Sequence, residues 1–101
     1  MLNLSNNRIK DIEGISHLNH LAFLDLSSNL IELCDNICLP SSLIILRLSK
    51  NPILPETYRK PLVMYLNDLT ELDKIKVVQA ERLWYRGLLP KALTFNVQKN
   101  L

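Results

Sequence analysis

The apolar residues of this chain recur with a long, fixed step. Leu2, Leu24 and Leu46 are each 22 residues apart, and Leu4, Leu26 and Leu48 share that step, as do Asn7, Asn29 and Asn51. Leu21 and Leu43 open the second and third units. The units read MLNLSNNRI, LAFLDLSSNLI and LIILRLSKNPI. Leucines two positions apart point to the same side of an extended strand, so Leu24 and Leu26 are read as one short strand facing inward. Between units, Ile9, Ile12, Ile15 and Leu18 recur every three residues, a spacing suited to a tight, partly 3₁₀ return. Cys34 shares the phase of Ile12, and Ile37 that of Ile15. One such unit cannot cover its own apolar side, so neighbouring units must stack. Burying each aliphatic side chain contributes roughly 1.5–3 kcal/mol. The asparagines are expected to form a ladder, bonding backbone groups of adjacent units at the bend, where an aliphatic replacement would leave those groups unpaired.

This LxxLxLxxNxI spacing is the leucine-rich-repeat pattern. It implies an α/β fold: a short solenoid with one parallel strand per repeat, closed by a helical segment. The repeats occupy residues 1–54, about two and a half coils. A different pattern follows over 55–73, where Leu62, Val63, Leu66, Leu69 and Leu72 mark an amphipathic helix. Pro61 is placed in its first turn, where proline is tolerated. Residues 74–101 form a third segment. Within it Gln79 to Arg86 can be helical, with Ala80, Leu83 and Trp84 on one side, and Gly87 and Pro90 interrupt it. Met1 enters in mid-strand with no covering element ahead of the first unit. The expectation is that this coil frays, is covered by a partner, or continues a longer protein.

The run YRKPLVMYLNDLTELD, Tyr58 to Asp73, resembles the C-terminal cap of one subfamily of leucine-rich-repeat proteins, which runs Tyr-Arg, a short helix, then Leu-Asp. Tyr58, Arg59, Leu62, Val63, Leu66, Leu69, Leu72 and Asp73 carry that resemblance. The subfamily includes the nuclear phosphatase-1 regulatory subunit with 22-residue repeats, the spliceosomal A-prime protein and dynein axonemal light chain 1. FLDLSSNLIE, PSSLIILRLSKN and YRKPLV look most like ciliary leucine-rich-repeat-containing proteins. The resemblance implies a non-catalytic protein-binding scaffold, cytoplasmic and in a ciliary or axonemal assembly. The alternatives it leaves open are a phosphatase-1 regulator, a ribonucleoprotein component, and a shortened paralogue with no role of its own.

By strand register the residues facing away from the core are Asn3 and Ser5; Phe23, Asp25 and Ser27; and Ile45, Arg47 and Ser49. Phe23 and Ile45 are expected as exposed neighbours, an apolar pair on a polar face. Asp25 and Arg47 share a row and can simply pair with each other, a contact of little energy if exposed. Phe23, Asp25, Ile45 and Arg47 are the candidate partner contacts. Trp84 is the fifth: it either packs back on the helix before it or, with Tyr85, Leu88 and Leu89, anchors a partner.

Composition narrows the chemistry. The 101 residues are 48% hydrophobic with a net charge of +2. The charges are of mixed sign throughout, which argues against direct binding of nucleic acid or an anionic membrane. No apolar run is long enough to span a bilayer. No leader pattern is visible, and only Cys34 and Cys38 are present, so a reducing compartment is expected. His17 and His20 approach the cysteines only by phase, so no metal is expected; Cys34 is assigned to the core and Cys38 to the surface. Glu13, Glu32 and Asp35 read as a solvated outer face. Gly14 and Gly87 stand alone, so there is no phosphate loop, and no serine sits in a nucleophile elbow. No cofactor and no catalysis are expected.

Overall fold

A computed structural model describes residues 1–34 and 38–89. Ile37, Asp35 and the tail from Pro90 lie outside the described residues.

The three leucine units form the short strands β1 (Leu2–Asn3), β2 (Phe23–Asp25) and β3 (Ile45–Arg47), paired parallel in sequence order. Their register repeats the 22-residue step, with Leu2 beside Leu24 and Leu24 beside Leu46. Leu24, Leu26, Leu46 and Leu48 are buried in one core with Ile12, Ile31, Leu39, Leu43 and Ile53. After each strand the chain enters the left-handed region at the same phase, at Asn6, Ser28 and Lys50. Asn readily adopts that conformation, while Ser and Lys adopt it at a cost. The return after the first unit is a series of tight turns, with Leu18 N–H donating to Ile15 (3.1 Å) and Leu21 N–H to Leu18 (3.0 Å).

The asparagines link one coil to the next. Asn29 donates to the carbonyls of Leu4 (3.0 Å) and Leu26 (3.0 Å) and accepts from Ile9 N–H (3.0 Å). Asn51 repeats this one coil later, donating to Leu26 (3.0 Å) and accepting from Ile31 N–H (3.0 Å). Asn7 donates only within its own turn, to Leu4 (2.9 Å) and Ser5 (3.1 Å), and is exposed.

Helix α1 (Pro55–Tyr65) starts earlier than the apolar pattern implies. Pro55 occupies the first turn, so Pro61 falls inside the helix and not in its opening turn. It removes the hydrogen bond to Thr57. Both residues are exposed, which leaves that carbonyl open to solvent. The inward face carries Tyr58, Arg59, Leu62 and Val63.

Two further strands follow, β4 (Glu71–Leu72) parallel to β3 and β5 (Ile75–Lys76) antiparallel to β4. Asp73 and Lys74, both with positive φ, make the two-residue turn between them, as hairpin geometry requires. Asp73 is held there by Leu48 N–H (2.6 Å) and by the Tyr58 hydroxyl, both donating to its carboxylate. The division expected at residue 73 therefore falls inside a hairpin.

Helix α2 (Gln79–Tyr85) ends in a Schellman turn: Leu88 N–H donates to Leu83 (2.9 Å), Gly87 N–H donates to Trp84 (2.9 Å), and Gly87 supplies the positive φ. Ala80 and Trp84 are exposed; the face turned inward centres on Glu81, which is fully buried. The burial of Glu81 has an electrostatic cause. Arg59 forms a two-point pair with Glu81 (2.7 and 2.9 Å) and donates to the carbonyls of Leu72 (3.2 Å) and Lys76 (3.2 Å). Tyr85 donates to the same carboxylate (2.7 Å). Arg82 closes the end of α1, donating to the carbonyls of Val63, Leu66 (3.0 Å) and Leu69 (2.8 Å). Cys34 is half-buried against the core as expected. Cys38 is also half-buried against it and not on the surface, drawn in beside the buried Leu39 and Pro40.

Two expectations follow. Asn29→Ala leaves the groups of two coils unpaired and should cost about 2–3 kcal/mol, against less than about 1 kcal/mol for the exposed Asn7→Ala. The urea midpoint of each variant, at unchanged m-value, measures this. The second concerns alkali. Burial, then the bonds to Asp73 and Glu81, push the hydroxyls of Tyr58 and Tyr85 well above the ordinary value of 10.0. A group whose pKa is raised on folding stabilises fully below its unfolded pKa and loses that contribution as pH rises. The melting temperature should therefore fall increasingly steeply above about pH 10. A Tyr58→Phe, Tyr85→Phe variant should start lower at pH 8 and fall less steeply.

Candidate protein-binding face

The open side of the sheet is assembled by strand register. One row runs Phe23, Ile45, Glu71, Lys76 across β2 to β5; the next begins Asn3, Asp25, Arg47. Phe23 and Ile45 are neighbours, as the spacing implies, but both are half-buried and not fully exposed. Arg47 explains part of this: its guanidinium lies over the Phe23 ring, 4.9 Å from the centroid. A cation over an aromatic face contributes about 0.5–1 kcal/mol when partly exposed.

Asp25 is on this side by register, yet only 8% exposed. Its Oδ1 accepts from Ser27 N–H (3.0 Å) and from the Ser27 hydroxyl (2.6 Å), which turns the carboxylate into the backbone. Asn3 does the same for Ser5 (3.0 and 2.6 Å) one coil earlier. The outer oxygen of Asp25 lies 3.9 Å from Arg47 Nη1, within ion-pair range but beyond a hydrogen bond. The pairing of Asp25 with Arg47 is thus loose, while Asp25 itself is committed to its own turn.

Trp84 lies apart, on α2. It is 39% exposed and tilted against Tyr85 at 5.7 Å, with Leu88 exposed beyond it. Glu71 and Lys76 were missed as members of the face. The step from Leu46 to its partner Leu72 is 26 residues and not 22, so periodicity could not register β4.

Residues 1–39 match the family model described as Leucine Rich repeats (2 copies). The match supports a leucine-rich-repeat protein. No curated protein matches the chain. Leucine-rich repeats generally mediate protein–protein interaction and are typically non-catalytic. Among the described residues no helix is long and apolar enough to cross a membrane, and no group of three or more His, Cys, Asp and Glu is placed to hold a metal.

The two charged residues of the repeat face should differ in their effect on stability. Asp25→Ala removes the acceptor of the Ser27 turn and should cost about 1–2 kcal/mol. Arg47→Ser, which breaks no hydrogen bond among the described residues, should cost less than about 1 kcal/mol. Thermal or urea unfolding of the two variants compares them directly.

Proposed function

We propose that this chain is a protein-binding scaffold module that engages its partner through the open sheet face. Phe23, Ile45 and Arg47 are the contacts, with Asp25 beside Arg47 at the edge of ion-pair range. The observation that supports this most is the cluster on β2 and β3: an aromatic ring, an aliphatic side chain and an arginine gathered on one sheet face. Aromatic and arginine side chains dominate binding energy at protein interfaces. In this reading α1, the hairpin and α2 act as the cap that closes the repeats. Trp84 and Leu88 offer a second, separate contact on α2.

The assembly we propose is ciliary or flagellar, in the axoneme, within the cytoplasm. The support is resemblance: the second and third repeats and the YRKPLV segment are similar to leucine-rich-repeat-containing protein 46 and related axonemal proteins. The partner is a protein; no nucleic acid, membrane, metal or cofactor enters the reading.

A tagged pull-down from a ciliated lysate, read by mass spectrometry, tests it. The wild type is compared with a Phe23→Glu, Arg47→Glu variant of verified fold. Axonemal proteins should appear with the wild type and disappear with the variant. Phosphatase-1 or spliceosomal subunits in their place would overturn the ciliary assignment. A variant that keeps every partner would move the site to Trp84 or to the outer returns.

A further inference from the structure

Arg47 departs from a device that the two strands before it use. At the same strand position stand Asn3 and Asp25. Each places a side-chain oxygen on the backbone N–H two residues on: Asn3 on Ser5, Asp25 on Ser27. Arginine has no acceptor and cannot serve this way. A residue that breaks a local structural rule without a compensating gain to the fold points to function.

The state of its donors sharpens the point. Arg47 carries five N–H donors, and none makes a hydrogen bond among the described residues. Nε is enclosed and has no hydrogen-bond partner, while the side chain keeps 30% of its surface open. Only Nε is both buried and unbonded, so the open donors are at the Nη end. The guanidinium is positioned over the Phe23 ring, 4.9 Å from its centroid, with Asp25 at 3.9 Å. A positioned planar fork with unused donors matches a planar acceptor end-on.

Resting on the binding face proposed above, we infer that Arg47 is the receptor for a carboxylate on the partner, an Asp or Glu side chain flanked by apolar residues. Phe23 and Ile45 supply the apolar floor beside it. Asp25 decides between anions. Its carboxylate, 3.9 Å from Arg47 Nη1, puts negative charge beside the fork. A singly charged, planar carboxylate tolerates that setting, and a phosphate dianion is repelled by it.

The probes are three acetylated, amidated tetrapeptides: Leu-Glu-Phe-Leu, the same peptide with glutamine for glutamate, and the same with phosphoserine. Each is titrated into the ¹⁵N-labelled full chain. The glutamate peptide should bind about tenfold tighter than the glutamine peptide, the scale of one charge-assisted hydrogen bond. It should also outbind the phosphoserine peptide and shift the Arg47 Nε–Hε resonance. Arg47→Gln, with its amide spectrum otherwise native, should bring that preference to about one, and Arg47→Lys should restore part of it. Equal binding of the glutamate and glutamine peptides, with shifts at Phe23 and Ile45, would overturn the carboxylate receptor and leave the binding face standing. Preference for phosphoserine would overturn it as well. If no peptide moves any resonance of Phe23, Ile45 or Arg47, both readings fall.

Discussion

The structure depends on a carboxamide that reaches across coils. A 22-residue unit of this kind buries leucines on one side and bends sharply after the strand, where backbone groups turn away from the sheet ladder. Asn29 and Asn51 satisfy those groups, each spanning its own coil and the one before it. One side chain thereby solves two problems: it pairs buried polar atoms and it fixes the register between coils. The leucine stack supplies the driving force but not that register, because apolar contact is non-directional. Asn7, which bonds only within its own turn, shows the same residue doing half the work.

At the other end the constraint is electrostatic. The fully buried Glu81 carboxylate is tolerated because Arg59 meets it at two points and Tyr85 at a third. Arg59 also reaches the carbonyls of Leu72 and Lys76, so α1, the hairpin and α2 converge on one side chain. Removing one member of such a pair strands a buried charge and costs about 3–5 kcal/mol. Arg82 does a related job just after α1 and in its last turn, donating to the carbonyls of Val63, Leu66 and Leu69. Burial and then the neighbouring Arg86 lower its pKa, and the carbonyl bonds keep the residue in place.

What was legible in the chain follows from what was periodic. Strand positions, core leucines and the asparagine ladder all repeat at 22 residues, and all three were readable. So was the facing of Phe23 to Ile45 and of Asp25 to Arg47. The inward turn of Asp25 was not, although a serine two residues on is the available signal: Asn3 with Ser5 and Asp25 with Ser27 share it. The hairpin was hidden because Asp73 and Lys74 are not a typical pair for a tight turn, and Asp73 holds its conformation through Leu48 and Tyr58, contacts distant in sequence. The inward face of α2 was hidden for a similar reason. An apolar-periodicity argument turns Glu81 to solvent, and only its pairing with Arg59, 22 residues upstream, turns it in.

The proposed function rests on what the fold leaves unused. Arg47 lies beside Phe23 with no hydrogen bond among the described residues, on a face where Asn3 and Asp25 are committed to their own turns. That account requires the repeats and the helical end to behave as one rigid body. Native-state hydrogen exchange across a urea series tests it most directly. The amides of Ile9, Ile31 and Asp73, donated respectively to Asn29, Asn51 and the Leu46 carbonyl, should exchange together with that of Leu66 through one global opening. Opening of Ile9 and Ile31 at a much lower free energy, with Asp73 and Leu66 still protected, would contradict it: the coils would then open independently of the helical end and could not present a fixed face.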